Sequence, residues 1–332
     1  MSMSTRTPQE QRAETAASRV VVGVDPDGRS TSAVSWAARE ADHPGGSLTL
    51  VTAYPTLNTL SVRPEAASPA RIEAQAQRDI EHLLRGLEIG RAETKIVVDA
   101  GTATQLLLDT AATADLLVIG RRALSKAHRL TATSTSVAVA GRSPVPTVVV
   151  PEHWVQLVKR TAPIVVGVEM PELPPPGRPK GDTLSVGTDE AVLEFAAARA
   201  DRLGVALVVV SAWDVPSLYA WSPDDITECR TRYDEQLEAL VTPWRERYPE
   251  LEITVEAVAE TPTDAVVDAS HVAQLAVVGR HTSPRHLGGF HVGSTARAVL
   301  HHAEVPIAVV PALSRAGGRR HGHPEDVWTP TY

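Results

Sequence analysis

The amino-acid sequence predicts an α/β protein made of two tandem, doubly wound, parallel-sheet domains of Rossmann-like type. Three observations carry that expectation: the length, an internal repeat, and the alternation of short Val- and Leu-rich runs with longer segments of helical period. At 332 residues the chain is too long for one compact core and suits two domains at roughly 100 to 200 residues each.

The repeat is direct. Arg19-Val-Val-Val-Gly23-Val24-Asp25 recurs as Pro163-Ile-Val-Val-Gly167-Val168-Glu169, 144 residues on. Trp36-Ala-Ala matches Phe195-Ala-Ala, Leu48 to Tyr54 matches Leu207 to Trp213, and Ala114 to Gly120 matches Ala273 to Gly279, each 159 residues on. The 15 extra residues enter just after Glu169, in the Pro- and Gly-rich stretch Pro171 to Ser185, which reads as a surface loop. One more enters after Gly279, so that Pro146 and Pro306 stand 160 apart. A duplicated chain folds as two copies of one unit.

Within copy one, strands are predicted near Val20 to Asp25, Leu48 to Tyr54, Lys95 to Ala100, Asp115 to Gly120 and Thr147 to Val150. Short, nearly continuous apolar runs of this kind belong to strands covered on both faces, as in a parallel sheet between helices. The helices fall between them. Ile72, Ala76, Ile80, Leu83, Leu84 and Leu87 make one amphipathic stripe, and copy two repeats it with Ile226, Cys229, Tyr233, Leu237 and Leu240. The last strands, Thr147 to Val150 and Ile307 to Val310, carry apolar edges that are expected to pair with each other, making an intramolecular pseudo-dimer. A further homodimer of the fused pair stays open.

Composition bounds the function. Apolar residues make up 43% and charged residues 22%, an ordinary globular balance. A net charge of −8 disfavours general nucleic-acid binding, which needs clustered cations. No apolar run approaches the ~20 residues of a membrane span. Cys229 is the only cysteine, so no intrachain disulfide forms, and a reducing, cytoplasmic setting is expected. On its helical stripe it reads as a small core residue rather than a nucleophile. The expected organisation is a polar leader over 1–19, domain one over 20–152, a linker over 153–163, domain two over 164–313 with its insertion at 171–185, and a polar tail over 314–332.

Ligands of open parallel sheets bind beyond the carboxyl ends of the strands, where strand order reverses. The first strand ends at Asp25 in copy one and Glu169 in copy two, both able to accept hydrogen bonds from a ribose or an adenine amine. The fourth ends at Gly120 and Gly279, each followed by a basic loop and then a helix. Arg121, Arg122, Lys126 and Arg129 stand in the first loop, and Arg280, His281, Arg285 and His286 in the second. They are candidate anion-facing cations.

A first strand ending Val-Gly-Val-Asp25, a Trp36-Ala-Ala helix, Ala114-Asp-Leu-Leu-Val-Ile-Gly120, and a Gly293-Ser294 helix start running to Val305-Pro-Ile-Ala-Val-Val-Pro311 resemble the universal stress protein family in its tandem form. The resemblance covers Val20 to Pro151 and Ile164 to Pro311. It implies an adenine nucleotide alpha hydrolase-like fold and a stress-response regulator or sensor. ATP or a related adenine nucleotide would be its ligand, Mg2+ a candidate companion, and regulatory proteins its partners. Nucleotide-binding members carry GxxG, nine residues, then Gly followed by Ser or Thr, plus the Asp that closes the first strand. In copy one Asp25, Gly120 and Ser134 keep this pattern, but Ala123 and Thr133 replace its second and third glycines. In copy two Gly279, Gly293 and Ser294 keep it, but Thr282 replaces the second glycine, Glu169 replaces Asp, and one loop residue is added. Glycines there would let backbone approach phosphates while a helix start supplies free N–H groups. A Cβ at Ala123 or Thr133 weakens binding, short of abolishing it, only where the backbone must adopt φ > 0 or touch a phosphate.

Plainer readings predict some of the same residues. Asp25 could cap the next helix or tie down its loop, and Ser134 and Ser294 are natural helix N-caps. His281, His286 and His291 recur every five residues, a spacing that fits no helical metal pair. No GxSxG, HExxH, GxxxxGK[ST] or GxGxxG pattern occurs, so no catalytic residue is nominated. A nucleotide-independent interaction module of the same fold is the alternative to a nucleotide binder.

Overall fold

The computed structural model describes residues 19–25, 27–54, 68–87, 89–121, 135–155, 161–170, 189–213, 222–280 and 292–312. Copy one contributes β1 (Arg19–Gly23), α1 (Thr31–Ala41), β2 (Ser47–Tyr54), α2 (Pro69–Arg85), β3 (Glu93–Ala100), α3 (Ala103–Ala111), β4 (Leu116–Arg121), α4 (Thr135–Arg142) and β5 (Thr147–Pro151). Copy two contributes β6 (Ile164–Gly167), α5 (Asp189–Leu203), β7 (Leu207–Ala212), α6 (Pro223–Arg247), β8 (Ile253–Val258), α7 (Pro262–Ser270), β9 (Leu275–Gly279), α8 (Ser294–His302) and β10 (Ile307–Val310).

Each half is a parallel sheet whose order reverses beside its first strand, β3-β2-β1-β4-β5 and β8-β7-β6-β9-β10. The two halves join edge to edge through β5 and β10, which pair antiparallel with Ala308 opposite Val148, giving one sheet of ten strands among the described residues. The apolar edges thus satisfy each other, as their sequence pattern predicts.

The alternating faces of the strands explain the layers. Val20, Val22, Val148, Val150, Ala308 and Val310 point to one side, under α1, α2, α5 and α6. Val21, Val149, Ile307 and Val309 point to the other side, under α3, α4, α7 and α8. Both clusters run through the seam, so the two halves share their cores. The stripe on α2 is buried at Ala76 and Ile80 and half-buried at Ile72, Leu83 and Leu84. On α6 it buries Cys229, Tyr233 and Leu237 and leaves Ile226 exposed. Burial pushes the Cys229 thiol up, which suits a core residue.

Strand ends pass close under helices only where glycine allows it. A Cβ on Gly23 would meet Leu107 Cδ2 at 3.2 Å, and one on Gly167 would meet Val266 Cγ2 at 2.6 Å. Leu107 and Val266 are repeat mates on α3 and α7. Gly167→Ala should therefore cost about 1–3 kcal/mol in thermal or denaturant unfolding, the usual range for overpacking. Adding Val266→Ala should return part of it, and full stability of the single variant would contradict this packing.

Candidate functional site

β1 and β4 are neighbours, with Val22 paired to Val118, so the turns that follow them emerge side by side at the switch point of half one. Asp25 stands two residues beyond β1, half-buried, in the turn that leads into α1. Its backbone N–H donates to Ser30 Oγ at 2.7 Å, and its carbonyl accepts from the Gly28 N–H at 3.2 Å. Gly28 adopts φ +84°, a left-handed turn position that glycine takes without a Cβ penalty. Thr52 on β2 donates its hydroxyl to the Val24 carbonyl, locking the strand end. The local role foreseen for Asp25 is therefore real: Oδ1 lies 3.5 Å from the Asp27 N–H across its own loop.

A cleft of about 400 Å³ opens at this turn, between Val24, Asp25, Asp27, Gly28 and Thr31 on one side and Asp79, Ile80 and Leu83 of α2 on the other. Sequence reasoning named Asp25 but missed Ser30, Thr52, Gly28 and the α2 wall. The spacing Asp25-x-x-Gly28-x-Ser30 is the one signal that points to the turn. The α2 wall has none, because only the tertiary fold lays the helix beside it.

Gly120, near the end of β4, faces the start of α1. A Cβ placed on it would meet only Ala33 Cβ at 3.9 Å and the Arg29 carbonyl at 4.0 Å, so its packing does not require glycine. Half two differs at the matching place. A Cβ on Gly279 would meet Val192 Cγ2 of α5 at 3.1 Å, because Val192 stands where half one has Ala33. Glu169 is exposed, whereas Asp25 is half-buried. A Cβ would thus fit at ordinary contact distance on Gly120 and would be crowded on Gly279.

The helix start of half two departs from expectation. Gly293 is the N-cap of α8 and makes no side-chain cap bond, and Ser294 is the first helical residue rather than the cap. Ser294 sits one position too late for its hydroxyl to serve the N-cap role. Ala123, Thr133, Ser134 and Thr282, with Arg122, Lys126, Arg129, His281, Arg285, His286 and His291, lie outside the described residues. Among the described residues no group of His, Cys, Asp and Glu could hold a metal ion.

Two cations read from the sequence as anion-facing point elsewhere. The Arg121 guanidinium donates to the Leu300 carbonyl and, at 2.6 Å, to the Ala303 carbonyl, at the C-terminus of α8 in the other half. Arg280 reciprocates, donating at 2.6 Å to the Ser143 carbonyl at the C-terminus of α4. The last carbonyls of a helix lack backbone partners and carry the negative dipole end, so each arginine finds a ready acceptor across the seam. Burial lowers the pKa of Arg280, yet a guanidinium remains charged at any ordinary pH. Replacing Arg121 by Met, which keeps much of the stem but cannot donate, should lower stability by about 1–3 kcal/mol, the usual scale for a lost charged hydrogen bond. An unchanged unfolding midpoint would show that these bonds contribute nothing.

A tandem doubly wound sheet, with a cleft at the turn after the first strand of half one, belongs to the α/β class in which ligand sites, where present, lie beyond the carboxyl ends of the strands. The chain belongs to the universal stress protein family, whose family model matches residues 17–151 and 184–311. The universal stress protein Rv1996 of Mycobacterium tuberculosis is 28% identical over 320 residues, spanning 87% of this chain and 94% of its own length. The crystal structure of a universal stress protein from Archaeoglobus fulgidus DSM 4304 superposes with a TM-score of 0.58 at 16% identity, covering 89% of this chain and 97% of that one. A second Archaeoglobus fulgidus universal stress protein, solved in complex with dAMP, is 29% identical over 46% of this chain and 99% of its own, with a TM-score of 0.30. No helix among the described residues is long and apolar enough to cross a membrane.

Proposed function

We propose that the chain is a cytoplasmic stress-response regulator or sensor that binds ATP or a related adenine nucleotide in half one, more weakly in half two, and catalyses no reaction of its own. The observation that carries this reading is the cleft at the Asp25 turn of half one, together with a Gly120 above which a Cβ would fit, set against Gly279, where Val192 would crowd one. A glycine that packing does not require, at the switch point of a doubly wound sheet, fits a backbone kept bare for a ligand. Asp25 would accept hydrogen bonds from ribose hydroxyls or an adenine amine, and Ser134 at the next helix start would meet phosphate. Ala123, Thr133, Thr282, Glu169, Gly279, Gly293 and Ser294 take the corresponding places as proposed site positions of lower fit. Mg2+ would arrive with the phosphates. The proposed domain limits remain 20–152 and 164–313, with the two halves acting as one pseudo-dimer.

The test separates binding from folding. Gly120→Ala adds a Cβ into ordinary contact distance, so its unfolding midpoint should move little, by less than about 0.5 kcal/mol in stability. Its affinity for ATP, ADP or AMP in calorimetry should fall at least about ten-fold, equivalent to roughly 1.4 kcal/mol. Asp25→Ala with Ser134→Ala should lower affinity as well. Unchanged affinity in all these variants removes Gly120, Asp25 and Ser134 from the site. If the wild type gives no heat with any of the three nucleotides at millimolar concentration, the interaction-module reading replaces this one.

A further inference from the structure

The contacts between the halves are of two kinds. The β5–β10 ladder and the Arg121 and Arg280 bonds are symmetric: each half offers the other an equivalent group. Such contacts would form equally well between two copies of half one or two copies of half two.

Among the described residues, the cluster around Glu40 is not symmetric. Glu40 on α1 is buried, 4% exposed, and its carboxylate is held by Arg199 and Arg202 of α5. Arg199 Nη1 donates to Glu40 Oε1 at 2.7 Å, and the Arg199 guanidinium lies 4.5 Å from the Trp36 ring centroid. Positions 40 and 199 are repeat mates, 159 apart, as are 43 and 202, so Glu40 meets the residue that replaces it in the other copy. Across a pseudo-two-fold axis, a residue near the axis faces its own equivalent. Two copies of half one would bring Glu40 against a second Glu40, and two copies of half two would bring Arg199 against a second Arg199. Either confrontation buries like charges without a partner.

We infer that Glu40, Arg199 and Arg202 make the pairing heterotypic: the α1 face of half one accepts half two and rejects a second copy of itself. The halves of this chain are thereby specific for each other, although the fold and the edge strands that join them are common to both. Discrimination comes from the mismatched alternatives, which is how repulsive elements give specificity to otherwise similar interfaces.

The full-length chain can carry each alternative internally. Arg199→Glu with Arg202→His copies the charges of half one onto α5, and Glu40→Arg with His43→Arg copies those of half two onto α1 and the turn that follows it. Each face copy should lower the thermal midpoint by about 5–10 °C, the scale of a broken buried ion pair in a chain of this size. Combining all four substitutions exchanges the faces and restores opposite charges, and should recover more than half of the loss. A combined variant that loses as much as the two face copies together would overturn the inference, since destabilisation would then follow from disturbed packing and not from charge. Where a face copy fails to fold, the cycle of Glu40→Gln, Arg199→Gln and their double serves. A double variant closer to wild type than the sum of the singles supports the inference, and strict additivity overturns it.

Discussion

Glu40→Ala is expected to lower the thermal midpoint by about 5–10 °C. The substitution removes the only carboxylate shown holding Arg199, 9% exposed, and Arg202, 17% exposed. The Nε of Arg202 is already buried without a hydrogen-bond partner. Removing one member of a buried ion cluster typically costs about 3–5 kcal/mol, because the charges left behind stay out of water without compensation. For a chain of this length each kcal/mol shifts the midpoint by roughly 1.5–2 °C. Loss of the small van der Waals contacts of one side chain would give far less. The same cluster sets a pH dependence. Burial alone would raise the Glu40 carboxyl, but Arg199 and Arg202 outweigh it and hold it below the ordinary carboxylate value of 4.5. A carboxyl depressed in the folded state contributes its stabilisation fully above that ordinary value. The contribution is lost as pH falls further, through the folded value. The gap between wild type and Glu40→Ala should therefore be constant near neutral pH and narrow as the solution becomes strongly acid. A gap that does not change with acid would contradict the ionised cluster.

Val148→Asp should do more, by opening the seam itself. Val148 and its partner Ala308 are both fully buried, and they lie in the cluster shared by the two halves. A carboxylate there has no cation described beside it. The cost of burying an unpaired charge is above about 4 kcal/mol unless the structure yields, and the seam is where it can yield. The expected result is a chain whose halves separate, seen as a larger radius of gyration by small-angle scattering and a second unfolding transition. Val148→Ile, which keeps the apolar edge, should leave a single transition. If Val148→Asp remains as compact as the wild type, the shared core does not hold the halves together.

Much of this architecture was legible in the amino-acid order, for physical reasons that differ by element. The strands stand within one or two residues of their expected places, because sequences buried on both faces are almost purely apolar. β1 ends at Gly23 rather than Asp25, since the backbone turns as soon as it leaves the pairing of β2 and β4. The β5–β10 seam followed from two apolar edges that water would not tolerate. The candidate site was less legible. Arg121 and Arg280 were read as ligand cations from their place after the fourth strands. Only the closed seam brings a helix C-terminus within their reach. Residue type makes Ser294 a cap, but the cap falls one residue earlier, on Gly293, and Ser294 is the first helical residue. Glu40 and Arg199 were repeat mates in plain view, but opposite charge at equivalent positions acquires meaning only when the two halves face each other.

The central functional claim is that the cleft at the Asp25 turn, with the nearby end of β4 at Gly120, holds an adenine nucleotide. Native mass spectrometry of the wild-type chain with millimolar ATP, ADP or AMP tests it most directly. The account predicts a species heavier by one nucleotide, reduced in Gly120→Ala while the fold is retained. A wild-type chain that stays at its unliganded mass with all three nucleotides would contradict it.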